Sequence, residues 1–159
     1  MSSALSKSKY KIVVENYFNK IAKQDNLTSL NTAFANEGAY IYIPKNVEVE
    51  KPIQIINFTT GNDTATMVQP RNLIVVEENA HVQIIERHQS LTDNAVLTNV
   101  VTEVFAARNA TVDFYKIQND KDNASLVDNT YIEQKTNSVV SVHTFSFGGN
   151  ITRNNLNFY

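Results

Sequence analysis

No cysteine occurs in the 159 residues. That excludes a disulfide framework, thiolate catalysis and cysteine-ligated zinc or iron–sulfur within this chain. Only four glycines and three prolines are present, so long flexible linkers are not expected. No window approaches the ~18 apolar residues that a membrane helix needs. The polar, lysine-rich start, Met1 to Lys11, lacks the apolar stretch of a signal peptide. A soluble, cytoplasmic protein is the default expectation. An excess of charge is missing too: the formal net charge is -2, and no basic patch interleaved with aromatics offers a grip on nucleic acid or an anionic membrane. No nucleophile elbow, P-loop or dinucleotide fingerprint appears. Six sequons begin at Asn26, Asn57, Asn62, Asn109, Asn123 and Asn150; with no secretion signal and so much Asn, they read as coincidences of composition.

What the chain does have is a repeat. A β-branched residue is followed by Asn five positions on and Val three after that. The copies are Ile41-Asn46-Val49, Ile74-Asn79-Val82, Val104-Asn109-Val112 and Ile132-Asn137-Val140, with successive Asn residues 33, 30 and 28 positions apart. A period in that range marks one supersecondary unit stacked on copies of itself. Each unit reads as strand, Asn turn, strand, so the expected fold is mainly β, a solenoid of about four coils. Asn suits the corner because it tolerates the left-handed conformation and its side chain can bond nearby backbone. Asn residues in register can also bond one another up the stack, and both readings stay open.

Side chains alternate across a strand. The column Val49, Val82, Val112, Val140 therefore faces the core, and Glu50, Gln83, Asp113, Ser141 face solvent. The next column is Lys51, Ile84, Phe114, Val142; Lys51 breaks it, which marks the first coil as imperfect. The polar runs Thr59 to Met67, Gln89 to Asn94 and Asn119 to Ala124 are expected to be solvated loops. Gly148-Gly149 reads as a turn between strands.

Ahead of the repeats, Tyr10, Val13, Val14, Tyr17, Phe18 and Ile21 recur at three- and four-residue spacing, which predicts an amphipathic helix over residues 8 to 22 packed on the domain. A second short helix is expected over about 28 to 37, capped by Asn26 or Thr28, with Leu30, Ala33 and Phe34 inward and Gly38 ending it. The expected division is a helical segment over 1–38 and a β-solenoid over 39–159.

Candidate chemistry is sparse. Glu86 and His88 lie two apart and read as a surface strand pair, since a metal would need further ligands from neighbouring coils. His143 falls in the column of Ile85 and Tyr115 and is expected to face outward. A carbohydrate-active β-helix would cluster carboxylates on one face. Glu50 and Asp113 share a column, but Gln83 and Ser141 dilute it, and Glu77-Glu78 and Glu48 sit near corners. No catalytic, cofactor-binding or metal-ligating residue is assigned, and no enzyme activity is expected. The aromatic, Asn-rich run His143 to Tyr159 ends without a capping element, so association through Ile151–Tyr159 is expected.

The runs SLNTAFANEGAYIYIPKNVEVEKPIQI (29–55), QPRNLIVVEENAHVQIIERHQS (69–90) and HTFSFGGNITRNNLNFY (143–159) resemble the SufB/SufD family of iron–sulfur cluster assembly proteins, in its SufD branch. The resemblance covers essentially the whole chain and is most specific from Asn31 to Pro44. It implies an N-terminal helical region, a central right-handed parallel β-helix and a C-terminal helical region. It also implies a complex in which a SufD-like protein pairs with a SufB-like paralogue and SufC-like ATPases bind the C-terminal regions. Such a complex is the scaffold for a nascent iron–sulfur cluster, and a reduced flavin is associated with it. The chain looks like a central fragment: the helix leading in and the front half of the β-helix. The segment carrying the family's cluster-assembly histidine has no match here. His88 and His143 are therefore not carried over, and no cofactor is expected in the fragment itself. Two other classes remain: a carbohydrate-active β-helix enzyme, and a structural solenoid that polymerises end to end.

Overall fold

A computed structural model describes residues 8–23, 25–61 and 64–159. The lysine-rich start, Met1 to Lys7, the sequon at Asn62 and the middle of the Thr59–Met67 run lie outside the described residues. Among these described residues two helices, α1 (Ser8–Tyr17) and α2 (Asn26–Phe34), precede ten strands. The strands are β1 (Tyr40–Ile43), β2 (Ile53–Thr59), β3 (Thr66–Val68), β4 (Arg71–Val76), β5 (His81–Ser90), β6 (Val96–Ala106), β7 (Thr111–Asp120), β8 (Ala124–Gln134), β9 (Val139–Gly148) and β10 (Ile151–Phe158).

Every strand pairing is parallel. One sheet runs β1-β4-β6-β8-β10, with β3 also on β6; the other runs β2-β5-β7-β9. Each coil crosses from the first sheet to the second at a corner Asn, which gives the β-solenoid that the repeat predicts. Ile41 pairs with Ile74, Ile74 with Val104, and Val104 with Ile132. β3 and β4 share one register against β6 and are split at Pro70, whose missing N–H cannot serve the ladder.

The corners hold the stack in phase. Asn46, Asn79, Asn109 and Asn137 all have φ between 56° and 60°, a region most L-residues avoid. The Asn79 amide donates to Asn46 Oδ1 and the Asn109 amide to Asn79 Oδ1, both at 2.9 Å. Both readings of the corner hold for these three coils, the turn and the ladder.

Inside the corner lies an apolar core of Ile74, Val76, Val82, Ile84, Val104, Val112, Phe114 and Ile132, all essentially inaccessible. Val49 and Val140 pack against it from the two end coils. The first coil departs from the expected columns. Glu48 lies opposite His81, but Ile53 lies opposite Ile84; the offset falls from 33 to 31, so this coil absorbs two extra residues. Ile53, not Lys51, occupies the inward place of Ile84, and Glu50 and Lys51 are exposed.

The helices close the outer face of the first sheet. Val14 packs with Leu73, Val75 and Phe105, and Tyr10, Val13, Tyr17, Phe18 and Ile21 surround them. The regular helix stops at Tyr17 rather than near residue 22, and Asn19 takes φ 60°. The second helix starts earlier than expected and is capped by Asp25, whose carboxylate accepts from Thr28 N at 2.8 Å. Its buried residues are Thr28 and Asn31; Ala33 is exposed and Phe34 is 65% exposed. Asn31 faces in because its amide donates to the Pro70 and Asn99 carbonyls at 2.9 and 2.8 Å. Gly38 does not end this helix, which closes at Ala35. It lets the backbone pass against Arg71, where an added Cβ would lie 1.9 Å from the carbonyl oxygen. The Gly148-Gly149 turn is present, with φ 76° and 86° between β9 and β10. The loops expected to be solvated are partly absorbed: Ser90 and Thr92 are buried, and Asn119 and Asp120 belong to β7.

Replacing Asn79 with Ala keeps neither the left-handed preference nor the ladder bonds. Asn79→Ala is expected to lower unfolding stability by about 1–2 kcal/mol, read from urea midpoints at constant m. Asn79→Gly retains the conformation and should lose less. Equal losses would show that the turn geometry contributes nothing of its own.

Candidate functional site

Beyond Ile84 and Phe114 the inward columns change character. Along β5 the inward residues continue as Glu86, His88 and Ser90, and along β7 as Lys116 and Gln118. The facing sheet contributes Asn72, Thr102, Asp128 and Thr130, all buried. Glu86 and Lys116 are direct register partners. The Lys116 ammonium contacts both Asp128 oxygens at 2.7 and 2.6 Å, donates to Thr130 Oγ1 at 2.6 Å and lies 3.6 Å from Glu86 Oε2. Glu86 Oε1 accepts from the Asn72 amide at 2.8 Å and lies 3.2 Å from His88 Nε2. None of Glu86, His88, Lys116 and Asp128 is more than 4% exposed.

Burial alone would push Glu86, His88 and Lys116 toward their neutral forms. For Glu86, burial raises the pKa, but the Lys116 and His88 charges and the bonds from His88 and Asn72 outweigh it and hold the carboxyl at about 2. For Lys116, burial works downward and is outweighed by Asp128 and Glu86, so the ammonium is held above its ordinary value. For His88, burial again works downward and is outweighed by Glu86, with help from Asp128, so the imidazole is held up. The Lys116 ammonium sits between the two carboxylates. Among the described residues no group of three or more His, Asp or Glu is placed to hold a metal.

A second buried pair lies on the other side of the first sheet, under the helices. Arg71 Nη2 donates to Glu103 Oε2 at 2.8 Å, with side chains 1% and 0% exposed. Glu103 also accepts from the backbone N–H groups of Asn19, Ile21 and Ala22 at 2.7, 3.1 and 3.3 Å. In a longer helix those donors would bond backwards along the chain. The carboxylate captures them instead, and this explains why α1 stops short of the apolar pattern that runs to Ile21. Arg71 reaches Asn19 Oδ1 and Thr32 Oγ1 at 3.1 and 3.3 Å and stacks over the Phe18 ring at 5.0 Å. The pair therefore ties both helices to the solenoid.

The residues singled out from sequence fall in different places. Glu86 and His88 are not a surface strand pair: both point inward, where Asn72 bonds the carboxylate and the Lys116 charge lies 3.6 Å from it. His143 faces outward and stacks on Tyr115, with ring centroids 5.0 Å apart. Gln83, Asp113 and Ser141 share a column, but the extra residues of the first coil take Glu50 out of it. Asp113 is instead 3.6 Å from His81 Nε2. Glu78 pairs with Lys45 and Arg108 across three coils, and those bonds hold its carboxyl below the usual range. Burial raises the Tyr42 phenol, and the neighbouring Glu77 carboxylate adds to the rise. Arg71 and Glu103 were not anticipated. Their signal is a lone charge in a fully buried or nearly buried strand, Arg71 in RNLIVV and Glu103 in VLTNVVTEVFA.

At the last coil β9 pairs only with β7 and β10 only with β8. Phe145, Phe147, Ile151, Leu156, Phe158 and Tyr159 are exposed there. Beside this end a cleft of about 440 Å³ opens between the start of α2 and β10, lined by Asp25, Asn26, Leu27, Asn129, Arg153 and Asn155.

Removing one member of a buried ion pair leaves the other uncompensated, at about 3–5 kcal/mol. Glu103→Leu is expected to destabilise by that amount in urea titrations, and the double variant with Arg71→Met to recover most of it. A loss below about 1 kcal/mol, the range of a surface pair, would contradict the anchoring role.

Two family models match the chain. The SUF system FeS cluster assembly, SufBD core domain model matches residues 58–159, and the SufBD protein N-terminal region model matches residues 2–55. An iron–sulfur cluster assembly SufBD family protein of Synechocystis sp. is 32% identical over 137 residues, 81% of this chain and 30% of that protein. The iron–sulfur cluster assembly protein SufD of Bacillus subtilis is 34% identical over 127 residues, 77% of this chain and 28% of that protein. The chloroplastic protein ABCI7 of Arabidopsis thaliana is 27% identical over 134 residues, 80% of this chain and 28% of that protein. The chain thus spans less than a third of the length of these curated relatives. No solved structure matches it.

Proposed function

The chain belongs to the SufBD family of iron–sulfur cluster assembly proteins, and on that premise we propose that it is the front part of the β-helix of a SufD-like scaffold subunit. It acts through protein–protein contact rather than through chemistry of its own. In the full-length protein its partners are a SufB-like paralogue and a SufC-like ATPase, and the assembled complex handles a nascent iron–sulfur cluster, with a reduced flavin in attendance. The compartment is the cytoplasm; no helix of the described residues is long and apolar enough to cross a membrane.

The observation that carries this reading is the match of both SufBD models, one over the helical entry and one over the coils, on a chain whose fold is a parallel solenoid. The geometry fits a scaffold. Its interior charged groups are paired with one another: Lys116 with Asp128 and Glu86, and Arg71 with Glu103. Co-purification of the full-length parent with its neighbours tests the assignment. Recovery of a SufB-like protein together with an ATPase is expected, and reproducible recovery of neither would overturn it.

In the isolated 159-residue chain the open edge of β9 and β10 is expected to pair with a second copy. The low net charge offers little repulsion against this. Sedimentation velocity should show mass rising with concentration, and Phe158→Lys should weaken the association about tenfold or more. A strict monomer at high concentration would count against the edge as an association surface.

A further inference from the structure

The charged half of the coil interior has an arithmetic that the scaffold reading does not use. Glu86 and Asp128 bring two negative charges, and Lys116 brings one positive charge. His88 is the fourth member, with Nε2 3.2 Å from Glu86 Oε1. The groups facing it are Asn57 from β2, whose amide nitrogen is 3.5 Å from the same ring nitrogen, Glu86 and Ser90 from β5, Lys116 and Gln118 from β7, and Asp128 from β8. Asp120 lies farther along, with its oxygens taken by Ser90 N and the Gln118 amide. A neutral His88 leaves this sealed cluster with one unbalanced negative charge. An imidazolium closes the balance at zero.

We propose that the cluster is a proton site built into the fold. His88 carries a proton as the fourth charge of the Glu86–Lys116–Asp128 set, and its release loosens the coil interior, so the solenoid weakens as the solution becomes alkaline. Burying an unbalanced charge costs far more than exposing it, and here the missing charge can be supplied by hydrogen ion alone. The direction follows from linkage. A histidine held above its unfolded value of about 6.5 takes up a proton on folding. Its contribution is full below that value and is lost as pH rises through the folded value. Glu86 works at the other end: its contribution is present above its ordinary 4.5 and is lost as pH falls toward about 2. Stability from this cluster therefore peaks in weakly acidic to neutral solution. The cluster is a proton-sensitive element set beside the apolar columns of the same coils.

The test is an imidazole titration of the ¹⁵N-labelled 159-residue chain by NMR, with the His88 signals assigned by their loss in His88→Gln. The expected result is a doubly protonated ring that persists above the ordinary histidine range. Asp128→Asn removes one negative charge and should move the His88 titration down; Lys116→Met removes the positive charge and should move it up. Loosened packing alone would shift both variants the same way, toward the ordinary value. Urea midpoints of the parent should fall as pH rises above about 6.5, and that fall should be largely absent in His88→Gln. A His88 ring that is neutral from pH 5 upward overturns the proposal. So do variants that shift in one common direction, or an unchanged pH slope in His88→Gln.

Discussion

Parallel, in-register stacking commits every inward side chain to a neighbour in its own column, one coil away. Nothing else in the structure is as restrictive. Near the corner the columns hold Ile74 on Val104 on Ile132 and Val82 on Val112, and aliphatic side chains repeat because each must fit its counterpart. Farther along the same strands the columns hold Glu86 on Lys116. The rule is unchanged there, but opposite charge rather than shape makes the neighbours compatible. The interior is thus one continuous stack with a dry half and an ionised half, and both halves depend on the phase fixed by the left-handed Asn corners.

The helical preface depends on the same stack from outside. Glu103 sits on the outer face of β6 because its neighbours Thr102 and Val104 face in. Its carboxylate takes the backbone donors at the end of α1, while Arg71 on β4 reaches Asn19 and Thr32. A buried pair of this kind adds little over an apolar replacement, yet breaking it is costly. Its contribution is to fix where the helices lie, since an apolar patch alone would tolerate sliding.

Much of this was legible in the sequence. The Asn–Val spacing gave the coils, and alternation around Val82 and Val112 gave the inward face. Alternation also pointed Glu86 and His88 inward, two and four residues beyond Ile84. Polarity argued the opposite, and reading them as a surface pair followed polarity. The usable signal was Glu86 sharing a column with Lys116, a complementary pair where a solvent face needs none. The helix lengths were not legible, because a carboxylate 84 residues from Asn19 decides where α1 stops. Nor was the first coil, whose two extra residues break column counting at Glu50 and Lys51. The cap at Asp25 does not stand out in the sequence from Asn26 and Thr28, since the three polar residues compete and only the accepted bond from Thr28 N distinguishes it.

Engineered cysteines test the stacking directly, because the native chain contributes none. Parallel neighbours sit about 4.8 Å apart, within disulfide reach. The outward columns Gln83–Asp113 and Asp113–Ser141 place their Cα atoms as register partners. Cysteines at 83 and 113, or at 113 and 141, should oxidise to intramolecular disulfides readily and without loss of stability. A failure of both pairs to cross-link, with ready closure of pairs displaced by several residues, would show that the coils are not stacked in this register.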